Sequence, residues 1–275
     1  MPELPEVETV VRGLIKFVVG QQISDVDVRR ADVLAGETAS MFRATVRGAH
    51  ITDARRRGKL IIIELDGKRS MLAHLRMTGS LTYCPPEAPL LPHTHVVFHL
   101  AEGGELRFAD TRRFGSLKLI SSSAPQAALA IPNMGPEPLK MSARKFEGMI
   151  DAIKGSGRPV KSWLLDQAWI AGIGNIYADE ILFHAGIRPG RLPGALTKTE
   201  VATLRENVIH VLRAAIRARG TTFSDYVDIS GNRGGFSRHL RVYQRTGMPC
   251  LECGEAIVRT KIAGRSTHYC PRCQR

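Results

Sequence analysis

Cys250-Leu251-Glu252-Cys253 and Cys270-Pro271-Arg272-Cys273 form two Cys-x2-Cys knuckles near the end of the chain, sixteen residues apart. A knuckle turns two thiolates to one side of the backbone, and two knuckles complete a tetrahedron. That spacing predicts one closed, structural zinc site. Two disulfides are the competing use of four such thiols. The opening Met1-Pro2-Glu3-Leu4-Pro5-Glu6 is acidic and Pro-rich, the reverse of a secretion signal, which favours the metal. The fifth cysteine, Cys84, has no partner by spacing and reads as an incidental thiol. A module this short builds little core, so the metal supplies much of its folding energy. Between the knuckles, Val258–Ile262 and Ser266–Tyr269 read as hairpin strands with Gly264-Arg265 as the turn. Arg265 at that tip is either a solvated turn charge or a group that reaches a ligand.

Upstream of the knuckles the apolar period is helical. Thr197-x-x-Glu200 is a capping box that opens a helix through Val201, Leu204, Val208, Leu212 and Ile216 towards a stop at Gly220. Residues 220–240, rich in Gly and Ser, read as a mobile loop, and Ser122–Pro138 as a linker. From about residue 22 to 120 the period is two instead. Strands are predicted around Ile23, Val26 and Val28, and at Lys59–Leu65, Val96–Leu100, Leu106–Phe108 and Ser116–Ile120. Many short strands without alternating helices point to a β-sandwich. Residues 84–93 hold four prolines and read as an exposed loop. Val7, Val10, Val11, Leu14, Phe17 and Val18 return to helical spacing before Gly20. The predicted class is therefore α+β, with a β-sandwich flanked by helices, then a helical domain, then the zinc hairpin. The boundaries expected are 1–130, a linker at 131–142, 143–245 and 246–275.

The chain has 275 residues and a formal charge of +13, from 39 Lys and Arg against 26 Asp and Glu. With 43% apolar residues it can fill real cores, which excludes wholesale disorder. The basic excess points to a polyanion, either nucleic acid or an anionic membrane surface. No run approaches the roughly 20 apolar residues that span a bilayer. No polybasic block flanks an anchor either, so nucleic acid is the better reading. Four of the excess charges lie in residues 1–150 and nine in 151–275, mostly as Arg, whose planar fork suits phosphate and guanine.

Several blocks together resemble the bacterial formamidopyrimidine-DNA glycosylases, which remove oxidised purines from DNA. They are Met1–Val10, Arg57-Gly58-Lys59, Leu75-Arg76-Met77-Thr78-Gly79, Asp110-Thr111-Arg112-Arg113-Phe114-Gly115, Gly172–Glu180 and the four-Cys module with Arg265. The blocks run through the chain in family order. The resemblance implies a helix–two-turns–helix in the second domain and a zinc finger at the end. It implies a glycosylase that is also an abasic-site lyase, with one structural zinc, damaged double-stranded DNA as partner, a monomeric state, no membrane and a bacterial cytoplasmic setting.

The resemblance also implies roles. Pro2 alone reads as a helix-start residue, where Pro is common. The family match makes it the nucleophile, once removal of Met1 frees its secondary amine. An α-amino group titrates at about 8, so a useful fraction is neutral at physiological pH. Attack on the sugar C1′ gives an iminium that is cationic without protonation, a standing electron sink. Glu3 is implied as general acid on the sugar ring oxygen, a role that needs a carboxyl pKa raised by burial, and Glu6 as a second acid near the amine. First-turn acids complementing the helix dipole are the alternative for both, and Glu8 fits that alternative better. Lys59 is implied to contact phosphate beside the lesion and assist β-elimination, and Arg265 to assist δ-elimination. Met77, Arg112 and Phe114 are implied to fill the gap left by an extruded base, although Met77 and Phe114 would otherwise read as core. His93 and Asn175 match DNA-contacting positions. His93-Thr94-His95 stands where the family usually has His-Asp-His. The run Lys154-Gly155-Ser156-Gly157-Arg158 replaces a Lys-rich stretch, leaving that phosphate contact to Lys154 or Arg158. Gln244 stands where glycine is frequent, and residues 220–240 match a loop that covers the damaged base. Two other readings compete. One is an endonuclease VIII-like glycosylase for oxidised pyrimidines. The other is a non-catalytic, zinc-dependent DNA-binding protein.

Overall fold

The computed structural model describes residues 1–121 and 134–275, and the chain folds into two compact units. The first comprises the described part of Met1–Pro132 together with Ala218–Ser237; the second comprises the described part of Asn133–Arg217 together with Arg238–Arg275. Each has its own core.

The first unit opens with helix α1 (Leu4–Phe17), which buries Leu4, Val7, Val10, Val11 and Leu14 along one face. Two antiparallel four-stranded sheets follow. One has the order β1-β6-β7-β5, formed by β1 (Ile23–Val28), β6 (Thr94–Leu100), β7 (Glu105–Asp110) and β5 (Gly79–Cys84). The other has the order β2-β3-β4-β8, formed by β2 (Ile51–Arg57), β3 (Leu60–Leu65), β4 (Arg69–His74) and β8 (Ser116–Ser121). A short helix α2 (Ala39–Val46) is capped by the Thr38 hydroxyl, which accepts from Met41 N. Val26, Phe98 and Leu106 of the first sheet share one core with Ile61, Ile63 and Met71 of the second and with α1, so the sheets form the expected sandwich. The strand β3 shows why a continuous apolar run was needed. Ile61, Ile63 and Leu65 enter that core, while Leu60 and Ile62 pack with Leu72 in a separate cluster. Both faces of β3 are therefore covered.

Residues 218–237, which lie within the stretch read from the sequence as the helical domain (143–245) and overlap the loop read at 220–240, belong to the first unit. Tyr83 N donates to Ile229 O at 2.7 Å, and Ile229 joins the sandwich core. The Gly and Ser of this segment serve turn chemistry. The Asp228 carboxylate accepts from Ser230 N and Asn232 N, and Thr222 Oγ1 accepts from Gly234 N.

The second unit packs α3 (Ala143–Ile153), α4 (Val160–Leu165), α5 (Asn175–His184) and α6 (Lys198–Arg217). Part of the expected linker, residues 122–133, lies outside the described residues. Beyond it, Pro138–Lys140 form a 3-10 turn and Met141 is buried. Helix α5 is buried on nearly all sides and forms the centre of this unit. Phe146 of α3 meets Trp163 of α4 edge to face at 5.4 Å. The capping box on α6 is present: Glu200 N donates to Thr197 Oγ1, and Thr197 N to Glu200 Oε2 at 2.7 Å. The unit ends in the hairpin β9 (Val258–Ile262) and β10 (Arg265–Tyr269). Its turn is Ala263-Gly264, both with positive φ, so Arg265 pairs with Ile262 as the first residue of β10 rather than lying within the turn. No helix among the described residues is long and apolar enough to cross a membrane.

Candidate nucleic-acid and catalytic sites

Three candidate clusters assemble from these elements, two in the first unit and one in the second. At the start of α1, Pro2, Glu3 and Glu6 are all buried; each acid is only 1% exposed. Two carboxyl groups so deeply buried need hydrogen-bond partners. Glu6 Oε2 accepts from Glu3 N at 2.8 Å, and Glu6 Oε1 accepts from Thr221 N at 2.7 Å. The second bond requires backbone to approach the carboxylate closely. Gly220 has φ +79°, and a Cβ there would lie 2.7 Å from Glu6 Oε1. Tyr226, whose phenol is pushed up by burial first and by Glu6 next, donates to Glu6 O and Arg219 O at 3.4 and 3.2 Å. The segment around 220–226 thus forms a wall of the N-terminal site. Glu8 does separate work. It pairs with Arg12 and with Arg56, which is nearly buried and also donates to Gly58 O at 2.9 Å. That ties the Gly58-Lys59 turn, between β2 and β3, to α1.

The second cluster brings Met77, Arg112 and Phe114 together. Arg112 lies over the Phe114 ring, 4.7 Å from its centroid, and its Nη1 is 3.3 Å from Met77 Sδ. Met77 is 41% and Phe114 54% exposed, so neither is core. Two loops carry the trio, and the buried Asp110 carboxylate joins them. It accepts from the Thr78 hydroxyl, from Arg112 N at 3.1 Å and from Gly115 N at 2.6 Å. Arg76 and Arg113 hold positive φ in the same loops, a strain that this network offsets. His74, at the end of β4, accepts from Arg76 N at 3.0 Å through Nδ1. Burial first, then Arg76 and Lys59, pull its pKa down to about 4, which keeps the ring neutral and able to accept. His93 is exposed, with φ +65°, and its carbonyl accepts from Asp110 N. Its neighbour His95 is buried, with Nε2 against Asp110 O at 2.8 Å, so Asp110 anchors this histidine pair as well.

The third cluster is the zinc module with the elements that hold it. Cys250, Cys253, Cys270 and Cys273 place their sulfurs within 4.8 Å of one another. The Cys250–Cys273 and Cys253–Cys270 pairs are 3.9 and 3.5 Å apart. Disulfides need about 2.05 Å. A tetrahedron of Zn–S bonds near 2.3 Å has edges of roughly 3.8 Å, and these thiols fit it. They hold one structural zinc. Arg265 is exposed at the tip of the hairpin. Asn175, the first residue of α5, donates to Ser266 O at 2.9 Å, which commits one amide hydrogen to the protein itself. Lys154 and Arg158 pair with Asp151 and Asp166, at 2.7 and 3.0 Å. Helix α5 also presents two buried acids. Asp179 meets Lys161 and His268, and Glu180 accepts from the N–H groups of Arg241, Val242 and Tyr243 at 2.8–3.0 Å. Burial raises the Glu180 pKa, opposed by those three donors.

Sequence reading gave no role to His74, Thr78, Asp110, Asp179, Glu180 or Tyr226, although Thr78, Asp110, Asp179 and Glu180 lie in the blocks that carry the resemblance. Asp110 left one signal: an acid at the very end of β7, where its oxygens meet loop N–H groups.

Comparison with known proteins agrees with this arrangement along the whole chain. Residues 1–117 match the formamidopyrimidine-DNA glycosylase N-terminal domain, residues 134–227 that family's H2TH domain, and residues 247–275 a zinc finger found in FPG and IleRS. A formamidopyrimidine-DNA glycosylase of Desulforamulus reducens is 44% identical over 276 residues, covering 100% of this chain and 99% of the relative. One from Moorella thermoacetica is 48% identical over 263 residues, with 95% of each chain covered. A Lactococcus lactis FPG mutant in complex with Fapy-dG-containing DNA superposes with a TM-score of 0.92 at 34% identity, covering 100% of both chains.

Proposed function

This chain belongs to the formamidopyrimidine-DNA glycosylase family, a DNA glycosylase and abasic-site lyase acting on damaged DNA, and from that premise we propose that it excises oxidised purines, 8-oxoguanine and formamidopyrimidines, through a Schiff base on Pro2. The observation that carries this reading is the buried trio at the start of α1. Pro2 is buried next to the buried Glu3, and the Glu6 carboxyl accepts from Glu3 N and from Thr221 N of the 220–226 wall. An ordinary helix start has no use for two acids buried to 1% exposure.

The residues divide the chemistry among them. After loss of Met1, the Pro2 nitrogen donates its lone pair to C1′, the N-glycosidic bond breaks with its electrons leaving on the base, and the base takes up the proton that the Pro2 nitrogen sheds. Glu3 gives a proton to the ring oxygen as the C1′–O4′ bond breaks, and the iminium forms. Loss of a C2′ proton breaks the C3′–O bond, with Lys59 on the flanking phosphate. Loss of a C4′ proton then breaks the C5′–O bond, with Arg265 serving the departing phosphate. Met77, Arg112 and Phe114, already in contact and exposed, suit a wedge that fills the gap left by an extruded base: one apolar side stacks and the Arg fork hydrogen-bonds the orphan partner. His93, Asn175, and Lys154 or Arg158 are assigned to the backbone of duplex DNA, which a single copy of the chain binds.

Borohydride trapping with an 8-oxoguanine duplex tests the assignment. Protein freed of Met1 is expected to form a covalent complex, and protein acetylated on Pro2 is expected to form none. Undiminished trapping by the acetylated form refutes the role of Pro2. Faster excision of thymine glycol than of 8-oxoguanine would move the chain to the endonuclease VIII-like reading. An intact strand would leave only DNA binding.

A further inference from the structure

Helix α5 carries a buried acid that the proposed chemistry does not use. Asp179 is 0% exposed and lies 2.6 Å, Oδ1 to Nζ, from the equally buried Lys161. Desolvating two such charges costs several kcal/mol, and apolar residues of the same size usually hold a core as well. A pair like this therefore calls for a reason other than stability.

Its surroundings supply one. Asp179 Oδ2 accepts from His268 N at 2.8 Å and lies 3.1 Å from His268 Nδ1. Lys161 Nζ donates to Ser266 O at 2.8 Å and to Thr267 Oγ1 at 2.9 Å. Thr267 Oγ1 in turn donates to Arg265 O at 3.1 Å. Every residue from 265 to 268 is gripped by this one cluster. Outside this cluster, Asn175 donates to Ser266 O at 2.9 Å, Tyr243 meets the His268 ring at 5.0 Å and Arg188 lies over the Tyr269 ring. Four of the five residues of β9 are exposed, and a two-stranded hairpin is marginal by itself. Zinc closes the base of the module, but Arg265 lies at the opposite end of β10 from Cys270.

We propose that Asp179 is a positioning residue for Arg265: through Lys161, Thr267 and the His268 backbone it fixes the strand that presents the Arg265 guanidinium to the departing phosphate. The proposal rests on the assignment of Arg265 to the second elimination. Asp179 touches no substrate and acts only through β10.

The test follows a duplex carrying a preformed abasic site, with the full zinc-loaded chain. The readouts are the ratio of β- to β,δ-elimination ends and the rate of borohydride trapping. Asp179→Asn keeps an acceptor for His268 N and loses the charge pairing. It is expected to slow conversion of the β end to the β,δ end roughly tenfold, with trapping within about twofold of the parent. Thr267→Val removes the hydroxyl between Lys161 and the Arg265 carbonyl and leaves the ion pair. It is expected to act in the same direction, and it carries the test if Asp179→Asn does not accumulate with zinc bound. Arg265→Ala serves as the reference. Adding Asp179→Asn to it is expected to change the ratio no further, because a positioning residue has nothing left to position. A changed ratio in Arg265→Ala with the parental ratio in zinc-loaded Asp179→Asn and Thr267→Val overturns the proposal alone. Multiplying effects in the double variant also overturn it. An unchanged ratio in Arg265→Ala overturns the assignment of Arg265, and the proposal with it.

Discussion

His74 shows how one side chain couples protonation to the loop that presents Met77. Its Nδ1 accepts from Arg76 N, and a protonated ring cannot accept there. Folding lowers its pKa from 6.5 to about 4, so below pH 6.5 the unfolded chain takes up a proton that the folded chain refuses. Stability is then lost as pH falls from about 6.5 to about 4, by at most about 3 kcal/mol at the lower end. Urea unfolding of the parent and of His74→Gln at pH 7 and pH 4.5 checks this. The parent is expected to lose stability between the two, and the variant to lose distinctly less. Equal slopes would separate His74 from acid sensitivity. Other residues at this scale differ in how openly the sequence declared them. The four cysteines were legible outright, because a zinc knuckle is local. Pro2, Glu3 and Glu6 were ambiguous by pattern, since a helix start also favours Pro and acids, and only the resemblance chose between the uses. Asp179 was silent. The backbone N–H that it accepts from lies 89 residues away, and nothing near it in the chain announces a buried carboxylate.

Elements follow the same division. Helix α1, strands β1, β3 and β6 to β8, and the α6 capping box were readable because their periodicity or capping chemistry is contained in a few neighbouring residues. Strands β2, β4 and β5 and helix α2 were not. In β2, Ile-Thr-Asp-Ala-Arg-Arg-Arg buries only Ile51 and Ala54, as an edge strand allows, so its pattern is mostly that of a solvated charged segment. That segment 218–237 packs with the first unit was not legible, because its composition speaks of turns, whereas its anchors, Glu6 and Tyr83, belong to distant parts of the chain. The α6 cap makes a prediction at this scale. The Arg191 guanidinium, then Thr197 N, hold the Glu200 carboxyl down at about 2. A carboxyl depressed by folding stabilises above its unfolded value of about 4.3, and that contribution fades as pH falls towards 2. Glu200 is largely solvated, so screening holds the effect to roughly 1 kcal/mol or less. Glu200→Gln is therefore expected to speed amide exchange in the first turn of α6 a few-fold at pH 6 and to approach the parent near pH 2, where about half of the Glu200 carboxyl is protonated, after correction for intrinsic rates. A difference that persists undiminished at pH 2 would mean that charge is not what Glu200 brings to the cap.

At the scale of the molecule, two cores and one metal divide the work of folding. The first unit has a sandwich core of its own, and α5 centres the second. Besides the polar ties of residues 266–268, the zinc module shares a small apolar cluster with that second unit among the described residues, in which Phe183, Val242 and Ile257 join Cys250 and Cys270. At about 1.5–3 kcal/mol for each buried apolar side chain, that cluster is outweighed by the roughly 10–16 kcal/mol that structural zinc supplies in comparable small modules. Chelation should therefore unfold the module without touching the sandwich. The chain is expected to release one zinc under a chelator with a thiol modifier. Amide protection should be lost across residues 246–275 and weakened at 241–243, where Glu180 holds the backbone. It should be retained in β3, whose two faces are both covered within the first unit. The chemistry should divide the same way. Pro2, Glu3 and Glu6 keep their local hydrogen bonds, whereas Arg265 loses the strand that carries it. A zinc-free chain given saturating abasic-site duplex should thus lose the second elimination more completely than it loses borohydride trapping. If both fall together at saturation, or if β3 loses protection along with the module, the two cores do not fold independently and the metal holds more of the molecule than its own hairpin.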